Sequence, residues 1–296
     1  MSAPRRFPLP LIGAFFALYF IWGSTYLAIR IGVESWPPLM MGGIRFVIAG
    51  SLLFAYQRLR GVPAPTWPQW KGAAAIGVLL LSFGNGAVTL AEHMGVASGV
   101  AALTVATVPL FTLLCGFFWG NRNTGLEWAG IVLGLIGIAL LNMGSNLQAS
   151  PLGAGLLLLA AATWAFGSVW SKHLPLPQGG MASAAEMLVG GVVLLMASFV
   201  RGERLTQMPS TDGWIALAYL TVFGSIIAFN AYMYLLKHVR PAAATSYAYV
   251  NPAVAVLLGI LFASEQIGWH ECMAMGVIIS AVVLIGLPQW RKPKEA

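Results

Sequence analysis

Ten stretches of this chain are apolar over roughly the 20 residues that an α-helix needs to cross a bilayer. They fall at 10–29, 38–57, 72–91, 97–118, 126–143, 152–171, 181–200, 213–235, 242–263 and 270–287. The connections between them are short, and none leaves room for a soluble domain. Hydrocarbon offers no hydrogen bonds to the backbone, so a chain of this kind must satisfy its own amides within helices. The pattern predicts an all-α polytopic membrane protein of ten helices. Composition agrees: only 8% of residues are charged, against about 25% in a soluble chain. The net charge of +7 does not point to nucleic acid, because the basic residues sit in short clusters between apolar runs, as they do in membrane loops.

Those clusters also predict an orientation. With the N-terminus in the cytoplasm, the inner segments hold Arg5, Arg6, Arg58, Arg60, Lys71, Arg122, Lys172, Lys237, Arg240, Arg291, Lys292 and Lys294, twelve in all. The outer segments hold only Arg30, Arg201 and Arg204. Basic residues favour the cytoplasmic side, so both termini are expected there. Arg5-Arg6 before an apolar run resembles a signal peptide, but no small-residue cleavage site follows, and the run reads as a retained first span.

The halves of the chain echo one another. Trp22 in the first run pairs with Trp164 in the sixth, an offset of 142. Phe83-Gly84 pairs with Phe223-Gly224 at 140, and Pro109 with Pro252 at 143. Five spans per half is an odd number, so the second half must enter the membrane from the opposite side. The expected organisation is two inverted five-helix repeats, residues 1–145 and 146–296, with a substrate site near the midplane between them.

Several short motifs, in order, carry a family resemblance. They are Ile21-Trp22-Gly23-Ser24-Thr25-Tyr26, Pro37-Pro38 with Arg45-Phe46, Thr107-Val108-Pro109-Leu110 and Tyr249-Val250-Asn251-Pro252. Together they resemble the EamA family of the drug/metabolite transporter superfamily, over essentially the whole chain. The resemblance implies ten helices in two EamA units, a bacterial inner-membrane setting, and movement of small metabolites, often export of amino acids or related compounds. It also implies a cavity among spans 1, 3, 4, 6, 8 and 9, with 5 and 10 peripheral.

Candidate site residues follow from polarity inside the spans. Trp22 and Tyr26 lie four apart on one face of span 1, with Trp164 and Ser168 as the matching pair in span 6. Aromatic faces with hydroxyls suit a small amphipathic solute; interfacial aromatics are the other reading. Asn85 and Thr89 in span 3, and Asn230 and Tyr234 in span 8, either line the cavity or tie helices together. Thr104, Thr107, Tyr247 and Asn251 border Pro109 and Pro252, which mark helix kinks with gating as a second role. Arg45 and Glu186, 141 apart, are intramembrane charges. Either both snorkel to an interface, or Arg45 meets a substrate carboxylate and Glu186 a substrate amine or proton. Glu92, followed by His93, ends span 3 as an interfacial cap or as a gate.

Other chemistry is not supported. Cys115 and Cys272 sit in apolar spans without metal or disulfide spacing. The sequence contains no Gly-x-x-x-x-Gly-Lys-Ser/Thr loop, so no ATPase drives transport from within this chain. One aspartate, Asp212, and four histidines near span ends do not make an intramembrane protease. The expectation is a non-enzymatic secondary transporter with no cofactor or metal, whose partners are a small solute, the bilayer and, if it is coupled, protons. Fused halves make a monomer sufficient. Proton-coupled drug efflux is the alternative, and a lipid-binding protein or an intramembrane enzyme the reading from another class.

Overall fold

The computed structural model describes residues 9–96, 98–120, 124–141, 151–254 and 269–291. Arg5, Arg6, Arg122, Lys292 and Lys294 of the charge count lie outside them, as do 255–263 of the ninth run. All regular structure among the described residues is helical.

Among the described residues, six helices are long and apolar enough to cross a membrane. They are α1 (Leu9–Val33), α2 (Pro38–Leu59), α3 (Trp67–His93), α7 (Pro151–His173, ending in a short 3₁₀ turn), α8 (Gly180–Val200) and α9 (Thr211–His238). The other four runs coincide with shorter or partly described elements. Run four is split into α4 (Ser98–Val105) and α5 (Val108–Phe118), and run five forms α6 (Gly125–Leu141). Run nine begins as α10 (Pro241–Ala244) and continues, after a turn, as α11 (247–254). Run ten is α12 (Trp269–Arg291). Large apolar side chains such as Phe16, Leu52, Phe117, Met196 and Phe199 are exposed on the outside of the bundle, which is where a lipid-facing surface would put them.

The prolines act differently in the two breaks. Pro109 sits in the first turn of α5, just after the turn at 106–107, where its missing N–H costs nothing. It therefore starts a helix rather than bending one. Pro252 lies inside α11, and the matching break is at 245–246, where Ala248 N donates to Thr245 O and Tyr249 N to Ser246 O. Thr245 and Ser246 turn their hydroxyls back onto nearby carbonyls, so side-chain hydroxyls, rather than the proline further along, accompany this second break.

Packing between helices is reciprocal. α2 lies along α8, and α6 along α12. α1 packs mainly on α9, whereas α7 packs mainly on α3. The α2–α8 contact is close because Gly43 meets the Gly191 carbonyl and Gly191 meets the Gly43 carbonyl: a Cβ on either would come within 3.0 Å of that oxygen. Small residues of this kind let helices approach where lipid gives no hydrophobic drive. Both α3 and α9 contain a π-helical stretch, Val78–Asn85 and Leu220–Phe229. Such wide turns recur at functional sites.

The start of α2 is stabilised from a distance. Pro37 offers no capping side chain, and Glu203 supplies one instead. Its carboxylate accepts from Met40 N at 3.0 Å, from Leu39 N at 3.4 Å and from Ser198 Oγ at 2.8 Å. A carboxylate at a helix N-terminus satisfies free amides and complements the helix dipole. Glu203→Ala should cost about 1–2 kcal/mol, read as a thermal midpoint a few degrees lower in detergent. Glu203→Gln should cost less, and equal losses from both would show that charge plays no part.

Candidate functional site

A central cavity forms where helices from both ends of the chain converge. Trp22, Thr25, Tyr26 and Ile29 of α1 line it, a spacing that places them on one helical face. Leu81, Gly84, Asn85 and Val88 of α3 do the same. Val105 and Val108 flank the α4–α5 break. Ala160, Ala161 and Trp164 come from α7, Gly224 and Phe229 from α9, and Tyr247 and Asn251 from α11. Arg45 and Phe46 of α2 complete the lining.

Aromatic rings dominate one wall. Trp22 meets Tyr247 edge-on at 4.8 Å, Trp164 edge-on at 5.3 Å and Tyr232 at 5.1 Å between centroids. Tyr232 stands behind the lining and touches Trp164 and Tyr247 as well. Ser168 holds the Tyr232 hydroxyl. Offset and edge-on rings at these distances attract one another through their quadrupoles, so the wall is tied to four helices.

One glycine makes room for it, and a second makes room for Arg45 beside it. A Cβ on Gly84 would press on the Trp164 ring at 2.8 Å. At the equivalent position in α9, a Cβ on Gly224 would meet Arg45 Nη2 at 2.8 Å, while the Gly224 carbonyl accepts from Trp22 Nε1 at 3.1 Å. Each π-helical stretch thus presents a glycine to a tryptophan from the other end of the chain. The Phe-Gly echo in the sequence marks these contacts, although spacing gave no reason to place the glycines in the site.

Polar groups are few. Asn251, against which Tyr26 lies, and Asn85 each have a buried side-chain oxygen without a partner. Arg45 is 3% exposed and donates through Nε to Ser225 Oγ at 2.7 Å. Its guanidinium also lies over the Phe46 ring at 4.7 Å. Arg45 therefore points into the bundle rather than to an interface.

The remaining candidates lie elsewhere. Thr89 donates to Asn85 O, Thr107 to Thr104 O, Ser168 to Trp164 O and Asn230 to Ile226 O. These side chains answer carbonyls three or four residues back and, like Thr104, are not in the cavity wall. Tyr234 stacks on His238 at 4.0 Å, also outside it. Glu92 and Glu186 are buried, with no hydrogen-bond partner for either carboxylate. Neither lines the cavity, and Glu186 lies on α8. Tyr232, Thr25 and Phe229 line or back the cavity without having been singled out by sequence.

The EamA-like transporter family model matches this chain twice, over residues 10–143 and 151–287. The chain belongs to the EamA-like transporter family. This family consists of transporters, not enzymes. Among curated EamA relatives, the uncharacterized inner membrane transporter YedA of Escherichia coli (strain K12) is 57% identical, covering 97% of this chain and 94% of its own. A probable amino-acid metabolite efflux pump of the same strain is 25% identical, covering 92% and 93%. One crystal structure shares the fold with a TM-score of 0.74 at 22% identity, covering 94% of this chain and 98% of that one.

Proposed function

We propose that this protein is a secondary transporter that exports small metabolites, such as amino acids or related compounds, by alternating access through the central cavity. The observation that carries this reading is the cavity itself, walled by aromatic rings and a few polar groups drawn from both ends of the chain. Support for the solute class comes from the relative named as a probable amino-acid metabolite efflux pump. In this reading ten helices form two inverted five-helix units, residues 1–145 and 146–296, with both termini in the cytoplasm of a bacterium. The exchanged packing of α1 and α7 supports the repeat, and the basic-residue asymmetry supports the orientation. Trp22, Tyr26, Asn85, Trp164, Tyr247 and Asn251 face the solute, and the breaks before Pro109 and Pro252 let the helices re-pack as access alternates.

A second reading, proton-coupled drug efflux, is favoured by one observation: Glu92 and Glu186 are buried carboxylates without hydrogen-bond partners, and ionisable groups at membrane depth are costly unless they work. Counterflow into proteoliposomes preloaded with single unlabelled amino acids, with and without a pH gradient, separates the two. Accumulation without a gradient supports an uncoupled metabolite carrier. Accumulation of drugs only with a gradient supports the second reading, and no accumulation of either removes both.

A further inference from the structure

We propose that Arg45 is the anion-binding group of the cavity, and that the carried solute bears a carboxylate. The inference deepens the transport reading and rests on it for the identity of the cavity as a solute site.

The guanidinium is almost wholly buried at membrane depth, where a charge is retained only if something answers it. Arginine keeps its proton in such surroundings. Among the described residues the ion pairs are Arg201 with Glu203 and Arg240 with Glu127; no carboxylate pairs with Arg45. Its side-chain neighbours are a hydroxyl and a ring. Ser225 accepts from Nε and itself donates to Leu220 O at 3.1 Å, so one edge of the guanidinium is held in place. Phe46 supports its face. The absent side chain of Gly224 leaves room for Nη2.

What this leaves for a ligand is the pair of Nη groups on a fixed plane beside a cavity. That is the donor fork which matches the two oxygens of a carboxylate. In the lining of the same cavity, the side-chain oxygens of Asn85 and Asn251 have no hydrogen-bond partner. They call for N–H or O–H donors at the other end of the solute, and the aromatic wall takes its apolar part. A solute with no anion would leave the guanidinium unanswered, and a site built around a charged hydrogen bond rejects an analogue lacking it.

The test uses purified full-length protein in detergent and matched probes: the twenty proteinogenic amino acids and their carboxamides, scored by ligand-induced thermal stabilisation. At least one acid should bind roughly ten- to a hundredfold more tightly than its amide. Arg45→Gln should erase that preference, and Arg45→Lys should keep it with weaker binding. If Arg45→Gln fails to fold, Ser225→Ala, which frees the guanidinium while keeping its charge, should weaken acid binding more than amide binding. Equal binding of acid and amide by the unaltered protein, binding of no acid, or a preference surviving in Arg45→Gln would each overturn the assignment. Acid-selective binding without counterflow of that acid would keep the anion site and remove the transport reading. Counterflow of solutes lacking a carboxylate, with no acid bound, would do the reverse.

Discussion

Trp164→Ala is expected to lower counterflow of the carried solute by about tenfold or more while leaving membrane insertion unchanged. Trp164 is packed against Gly84 and stands edge-on to Trp22. Removing it takes away a face of the cavity, leaves the Gly84 surface bare and frees Trp22 and Tyr232 to move into the gap. Burying an aromatic ring in a tight site and then truncating it to a methyl costs about 3–5 kcal/mol in soluble cores. A part of that, felt by the bound solute, suffices for the predicted loss. Insertion is a separate property: α7 keeps its length and apolar character without one indole. Trp128→Ala, on the exposed side of α6, serves as the comparison and should transport normally. Unimpaired counterflow by Trp164→Ala would remove the aromatic wall from the solute path.

Arg240→Ala should destabilise the protein more than any other single surface change. Glu127, at the start of α6, is fully buried. Its carboxylate pairs with Arg240 through Nε at 2.7 Å and Nη2 at 2.9 Å. Thr124 adds its backbone N–H at 2.7 Å and its hydroxyl at 3.0 Å. This two-point pair fastens the first turn of α6 to the residue that precedes α10. Losing one member of a buried pair strands the other, at a cost of about 3–5 kcal/mol. The thermal midpoint in detergent should fall by roughly 10 °C. Glu127→Gln combined with Arg240→Met should recover much of the loss, because no buried charge is then left alone. A double variant no more stable than Arg240→Ala would show that the stranded charge does not account for the loss.

The six long apolar helices were legible because a run of apolar residues needs no partner to be recognised. Trp22, Tyr26, Trp164, Tyr247 and Asn251 were legible as cavity residues because large or polar side chains within apolar helices stand out. The same reasoning placed Thr89, Thr107, Ser168 and Asn230 beside them, and the structure does not. A hydroxyl or amide in a helix can bond to a carbonyl three or four residues back, so polarity alone does not separate a pore from packing. The π-helical turns were also hidden, because apolar content is the same whether a turn closes at the fourth or the fifth residue. Gly84 and Gly224 carried a signal as paired landmarks, but a missing side chain shows its purpose only when the neighbour that fills the space is seen.

The exchange of tryptophans bears on ancestry. Trp164 rests on Gly84 and Trp22 hydrogen-bonds Gly224, so each of the two family-matched stretches supplies the lock for the other's key. After a duplication, a bulkier residue at either glycine must be answered by a change in the sister copy. The faint internal likeness of this chain, confined to a few landmarks, is the residue such a history would leave.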